Sequence, residues 1–73
     1  MTFDEMLPKL KEGWVVTRPS WGKDVITIFK PEFFHSVSIP FIYIERDGKM
    51  FVIYSASQDD LFADDFELVE YRS

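Results

Sequence analysis

The sequence predicts an α+β domain: an N-terminal helix packed on a four- to five-stranded antiparallel sheet, with a short helical turn near residues 59–62. Three features point there. An apolar stripe of helical period occupies the first dozen residues, β-prone runs fill most of the remainder, and Asp47-Gly48 separates two of those runs as a hairpin turn would.

The helix is expected over residues 2–12. Thr2 and Glu5 have the spacing of a capping box, in which hydroxyl and carboxylate each satisfy an orphan amide of the first turn. Phe3, Met6, Leu7 and Leu10 then recur at i, i+3, i+4 and i+7, and Gly13 supplies a left-handed stop. Pro8 lies inside this stretch, where it removes an amide donor and is expected to bend the axis.

Residues 14–18 form a short β-prone run, and Pro19-Ser20-Trp21-Gly22 follows as a turn that displays Trp21. Residues 25–30 are β-branched, with apolar residues on both faces, as in a strand covered on two sides. Pro31 and Pro40 bracket a connector containing Phe33, Phe34 and His35, too apolar to stand free in water. Strands are expected over 41–46 and 49–54 around a type I′ turn, and a last strand over 65–71. No repeat, linker or low-complexity segment divides the chain, so residues 1–73 read as one domain.

A domain of 73 residues buries only about 60% of the surface its unfolded chain exposes. There is no cysteine to staple it, and a single histidine cannot form a zinc site. Yet eight Phe, three Tyr and two Trp are present, each ring able to bury about 150–250 Å². One small core cannot hide thirteen such rings, so the composition predicts association of subunits. No apolar run reaches the roughly 20 residues of a membrane span, and the N-terminus lacks a signal-peptide pattern. A cytoplasmic location is the resulting expectation, with no membrane partner.

The net charge is −5, and residues 31–73 hold three basic against nine acidic side chains. Such a surface does not track along a nucleic-acid backbone, although a few converging donors suffice for one small phosphorylated molecule. The acids Asp59, Asp60, Asp64 and Asp65 come as two adjacent pairs without an intervening glycine, unlike the alternating ligands of a calcium loop. They read as acids near a helix start followed by a solvated turn. Ser55 and Ser57 lack a nucleophile elbow, and glycines at 13, 22 and 48 form no phosphate loop. No catalytic residue, metal ligand or cofactor is therefore assigned. A binder's inventory remains: Arg18 and Trp21 flank one turn beside Lys23, offering a phosphate fork and a stacking face.

The opening Phe3, Glu5, Leu10, Lys11 and Gly13 follow an F-x-E-x-L-x-x-L-K-x-G pattern that continues into Val16, Arg18 and Trp21-Gly22. The stretch from Ser57 to Phe66 follows S-Q-x-D-[ML]-x-A-x-D-W, with Phe66 and the preceding Tyr54 at positions where tryptophan is usual. This ordered pair of motifs resembles the small phage sponge proteins of the second Thoeris anti-defence type and their anti-CBASS relatives.

The resemblance implies a non-catalytic homotetramer in the infected host cell. Such a protein sequesters a cyclic nucleotide messenger, either a cyclic dinucleotide such as cGAMP or a cyclic ADP-ribose isomer, in pockets between subunits. It implies Phe3, Arg18, Trp21, Tyr54, Ser57, Gln58 and Asp60 as ligand contacts. The competing class is an acidic protein–protein inhibitor or DNA mimic, which the skewed C-terminal half favours but the concentration of acids within 59–70 does not.

Overall fold

The computed structural model describes residues 1–30 and 40–72, and the apolar connector with Phe33, Phe34 and His35 lies outside them. Helix α1 spans Phe3–Glu12. Its start is the expected capping box: Thr2 Oγ1 accepts from the Glu5 amide at 3.2 Å, and Glu5 Oε1 accepts from the Thr2 amide at 2.9 Å. Gly13 closes the helix at φ 116°, its N–H donating back to the Leu10 carbonyl. Pro8 sits on the exposed side with Asp4, so the carbonyl deprived of its donor can turn to water.

Strand β1 (Trp14–Thr17) runs into a 3₁₀ turn at Pro19–Trp21, and β2 (Val25–Phe29) returns beside it. Arg18, expected to end the strand, is extended at φ −124° and caps the 3₁₀ turn, because Pro19 at the next position is already committed to helical φ. Strands β3 (Phe41–Arg46) and β4 (Lys49–Ile53) form the expected hairpin. Asp47 at φ 56° and Gly48 at φ 78° both take the left-handed region that its turn requires. A one-turn helix α2 (Gln58–Leu61) precedes the last strand, β5 (Glu67–Tyr71).

All pairings are antiparallel and the strand order is β4-β3-β2-β1-β5, so the chain ends next to its first strand. Register places Val16, Ile26 and Ile44 in one cross-strand row. The α1 stripe covers it, and Met6, Leu10, Val16, Ile26 and Phe66 form the buried core. Among the described residues, no helix is long and apolar enough to cross a membrane.

The opposite face is closed differently. Arg72, just beyond β5, donates from Nη1 and Nη2 to both oxygens of Glu45 on β3, each at 2.9 Å. Strands β1 and β2 lie between β5 and β3, and Arg72 lines a cleft there with buried Val15. On β4, by contrast, Met50, Phe51, Val52 and Ile53 are all exposed.

Leu10 is fully buried and Lys11, its neighbour on the helix, is exposed. We expect Leu10→Ala to cost about 2–5 kcal/mol, and Lys11→Ala to stay within about 0.5 kcal/mol of the parent. Urea unfolding followed by circular dichroism measures both; equal losses would place the core elsewhere.

Candidate functional site

The site is built on Arg18. At the end of β1 its side chain turns toward α2, where it meets carboxylates that are more than forty residues away in sequence. Nε donates to Asp65 at 2.7 Å, and Nη1 donates to Asp59 at 2.9 Å and to Asp60 at 2.8 Å. The guanidinium also lies 5.7 Å from the centre of the Phe66 ring. These bonds push the Arg18 pKa further up, Asp65 contributing most, and the same contact holds the Asp65 carboxyl below its ordinary value.

Two expectations change here. Arg18, read as a fork displayed on a turn for phosphate, is buried and donates to three carboxylates of its own chain, so its guanidinium faces them rather than open solvent. The acidic cluster, read as acids near a helix start followed by a solvated turn, does place Asp59 and Asp60 in the first turn of α2, but it also supplies that cage through Asp59, Asp60 and Asp65, although Asp59 keeps most of its side chain in water.

Asp60 links the cage to the aromatic wall. One oxygen takes the Arg18 bond, and the other accepts from the Tyr54 hydroxyl at 2.8 Å. Burial and this bond raise the Tyr54 pKa, so the phenol stays protonated as a donor. The Trp21 ring stands 6.0 Å from Tyr54 and 5.9 Å from Phe66, with Phe66 in turn 5.9 Å from Phe3. Edge-on packing on Phe66 and tilted packing of Trp21 against Tyr54 fix the ring orientations.

Trp21, Tyr54 and Asp60 line one cleft of about 210 Å³, together with Asp24, Ile44 and Ser55. Asp24 is itself held by Arg46, which donates from Nε and Nη2 at 2.8 and 2.7 Å. Among the residues implied by resemblance, these three share the cleft, with Arg18 behind Asp60. Phe3 is not a lining residue and packs against Phe66.

Ser57 caps α2, its hydroxyl accepting from the Asp60 amide at 3.1 Å, and thereby sets where the Asp60 side chain emerges. Gln58 is exposed at the first position of that helix. Lys23, expected beside Arg18, instead lines a second cleft with Val15, Glu45 and Arg72. Asp24 and Ile44 carry no sequence motif that marks a site, and Ser55 enters the sequence reading only as a serine without a nucleophile elbow. The Asp24-to-Arg46 pair joins a loop to a hairpin, and no local motif encodes it.

The cage makes stability depend on acid pH. Because the folded-state pKa of Asp65 lies below its ordinary 3.8, the stabilisation is complete above that value and disappears as pH falls through the lower one. We expect the wild-type melting temperature to drop steeply below about pH 4. Arg18→Gln, already less stable at pH 7, should show a shallower dependence there, what remains coming from Asp24 and Glu5, whose carboxyls are also held below their ordinary values by Arg46 and by the Thr2 cap. Parallel acid slopes for the two proteins would remove the cage from the account.

Residues 1–69 match the model of the Thoeris anti-defense 2-like (Tad2-like) domain, in agreement with the resemblance carried by the two terminal motifs. No curated protein matches the chain. A match across nearly all of the sequence takes in α1, the Arg18 cage, the aromatic cleft and most of β5. The chain belongs to the Thoeris anti-defense 2-like family, which sets it among proteins that counter Thoeris defence.

Proposed function

We propose that this protein is a sponge: it binds and sequesters a cyclic nucleotide immune messenger without turning it over, in the infected host cell. The messenger is a cyclic dinucleotide such as cGAMP or a cyclic ADP-ribose isomer, and its capture blocks Thoeris or CBASS signalling. The cleft between Trp21 and Tyr54 carries this reading. Aromatic side chains held in one orientation by Asp60, beside the polar groups of Asp24 and Ser55, suit a nucleobase and its sugar.

In this reading Trp21 and Tyr54 stack on a base, and the Ser55 hydroxyl bonds to base or ribose. Asp60 keeps Tyr54 aimed, with Arg18 and Ser57 holding α2 in place, Gln58 reaching the ligand from the exposed start of that helix, and Phe3 backing the wall. Arg46, half exposed and tied to the cleft-lining Asp24, is the cation nearest in role to a phosphate contact. The cleft is smaller than the roughly 300–1,000 Å³ of a pocket that encloses a drug-sized ligand. A second copy completing it, within a homotetramer, accounts for both that shortfall and the exposed apolar side chains.

Capture rather than catalysis suits the same groups. The raised Tyr54 pKa makes the phenol a poor nucleophile, and among the described residues lining the cleft there is no histidine or lysine to activate Ser55. The acidic-mimic alternative loses support, because Asp24, Glu45, Asp59, Asp60, Asp65 and Glu70 all pair with arginines of the same chain.

Protein incubated with a cyclic dinucleotide or a cyclic ADP-ribose isomer should deplete it from solution and release it chemically intact on heating. Recovery of a hydrolysed or linear product would make the protein an enzyme. Trp21→Ala should weaken the affinity about tenfold to a hundredfold, the loss of a stacking face worth about 1–3 kcal/mol. Calorimetry on samples that keep their circular dichroism and size measures this. A folded Trp21→Ala protein with unchanged affinity would move the site elsewhere.

A further inference from the structure

We infer that the cleft beside Trp21 selects a base bearing an exocyclic amino group, and that the Asp24 carboxylate is the specificity-determining acceptor of its N–H. The inference rests on the sponge reading above and deepens it by naming what the site selects.

Size and charge together decide which part of a ligand enters. At about 210 Å³ the cleft is too small for a whole cyclic dinucleotide or cyclic ADP-ribose isomer, so it takes one portion. That portion is not a phosphate. Trp21, Asp24, Ile44, Tyr54, Ser55 and Asp60 line the cleft, with two carboxylates and no cation among them. Their ion-pair partners Arg18 and Arg46 are themselves shared with Asp59 and Asp65, which leaves four carboxylates against two guanidinium groups. An anion entering there meets like charge at short range. A neutral ring lying against the aromatic side chains does not.

The hydrogen-bonding groups are as one-sided as the charge. Ionised Asp24 and Asp60 only accept, and the Tyr54 proton is already given to Asp60. Only Ser55 and the Trp21 indole remain as side-chain donors in the lining. Such a wall is complementary to a ligand edge that donates.

Of the two carboxylates, Asp24 is the one within reach. The Asp60 side chain is 11% exposed and that of Asp24 is 26% exposed. Arg46 donates once to each Asp24 oxygen, and each oxygen keeps a further lone pair. The same contact holds the Asp24 carboxyl below its ordinary pKa, so it stays ionised at neutral pH. Its backbone is pinned on both sides. The Asp24 amide donates to the Trp21 carbonyl at 3.3 Å, and its own carbonyl accepts from the Thr17 hydroxyl at 2.8 Å. Acceptor and aromatic ring are thus fixed to each other before any ligand arrives, which lowers the ordering cost of binding. Both line one small cleft, so a base that fills it brings its edge to the carboxylate.

Adenine and guanine each carry an exocyclic amino group, and hypoxanthine carries none. A site built around an acceptor rejects the analogue that lacks the matching donor. Calorimetry on the wild type compares cyclic di-AMP and cyclic di-GMP with cyclic di-IMP, and a cyclic ADP-ribose isomer with its inosine counterpart. An amino-bearing ligand should bind about tenfold to a hundredfold more tightly than its hypoxanthine counterpart, as expected for a hydrogen bond to a charged group. Asp24→Asn, which keeps the side-chain shape, should remove most of that ratio, whereas Trp21→Ala should weaken both ligands alike and preserve it. Circular dichroism checks each variant, and Asp24→Asn combined with Arg46→Gln serves if the single variant does not fold. Equal wild-type affinities, or an unchanged ratio in the folded Asp24 variant, overturn this assignment and leave the sponge reading standing. A wild type that takes up none of these ligands overturns both.

Discussion

The Arg18 guanidinium is the contact on which the site depends. It reaches from the end of β1 to carboxylates at 59, 60 and 65, and so ties the first sheet-forming segment to the last third of the chain. Burying a charge is costly unless it is paired and hydrogen-bonded, and two of its three partners are themselves at least partly buried. Such a contact defines a single geometry more than it adds stability. Because Asp60 is shared with Tyr54, that geometry is handed to the aromatic cleft.

Arg46 and Arg72 repeat the device at other places. Arg46 joins the β3–β4 hairpin to Asp24, and Arg72 joins the end of the chain to Glu45 across the open face. Each is a two-pronged pairing that a flexible lysine could not reproduce. In a domain without a cysteine to form a disulfide, three arginine forks serve as long-range ties among the described residues. They also account for much of the acid excess, since six of the carboxylates answer these three cations.

The apolar residues divide in the same way between one chain and an assembly. Five close the core under α1, and the rings of Phe3, Trp21 and Tyr54 pack around it. The exposed apolar strand β4, with Leu61 and Phe62 at the end of α2, is surface that a lone domain leaves wet. Among the described residues, a sheet this small, covered on one face by α1, leaves apolar surface in water.

The sequence by itself determined the elements. The Thr2–Glu5 capping box, the helical stripe, Asp47-Gly48 and the β-branched runs are local signals, and each element formed within a residue or two of where they placed it. The terminal motifs likewise identified the family, because order and spacing are properties of the chain. Strand order and the partners of charged side chains were decided only by the tertiary structure. Whether Arg18 faces solvent or an internal carboxylate depends on β5 returning beside β1, a pairing of segments about fifty residues apart that no local periodicity records. For the same reason Asp24, Ile44 and Ser55 became part of the cleft unannounced: each is ordinary in its own segment, and only the folding of the sheet sets them beside Trp21.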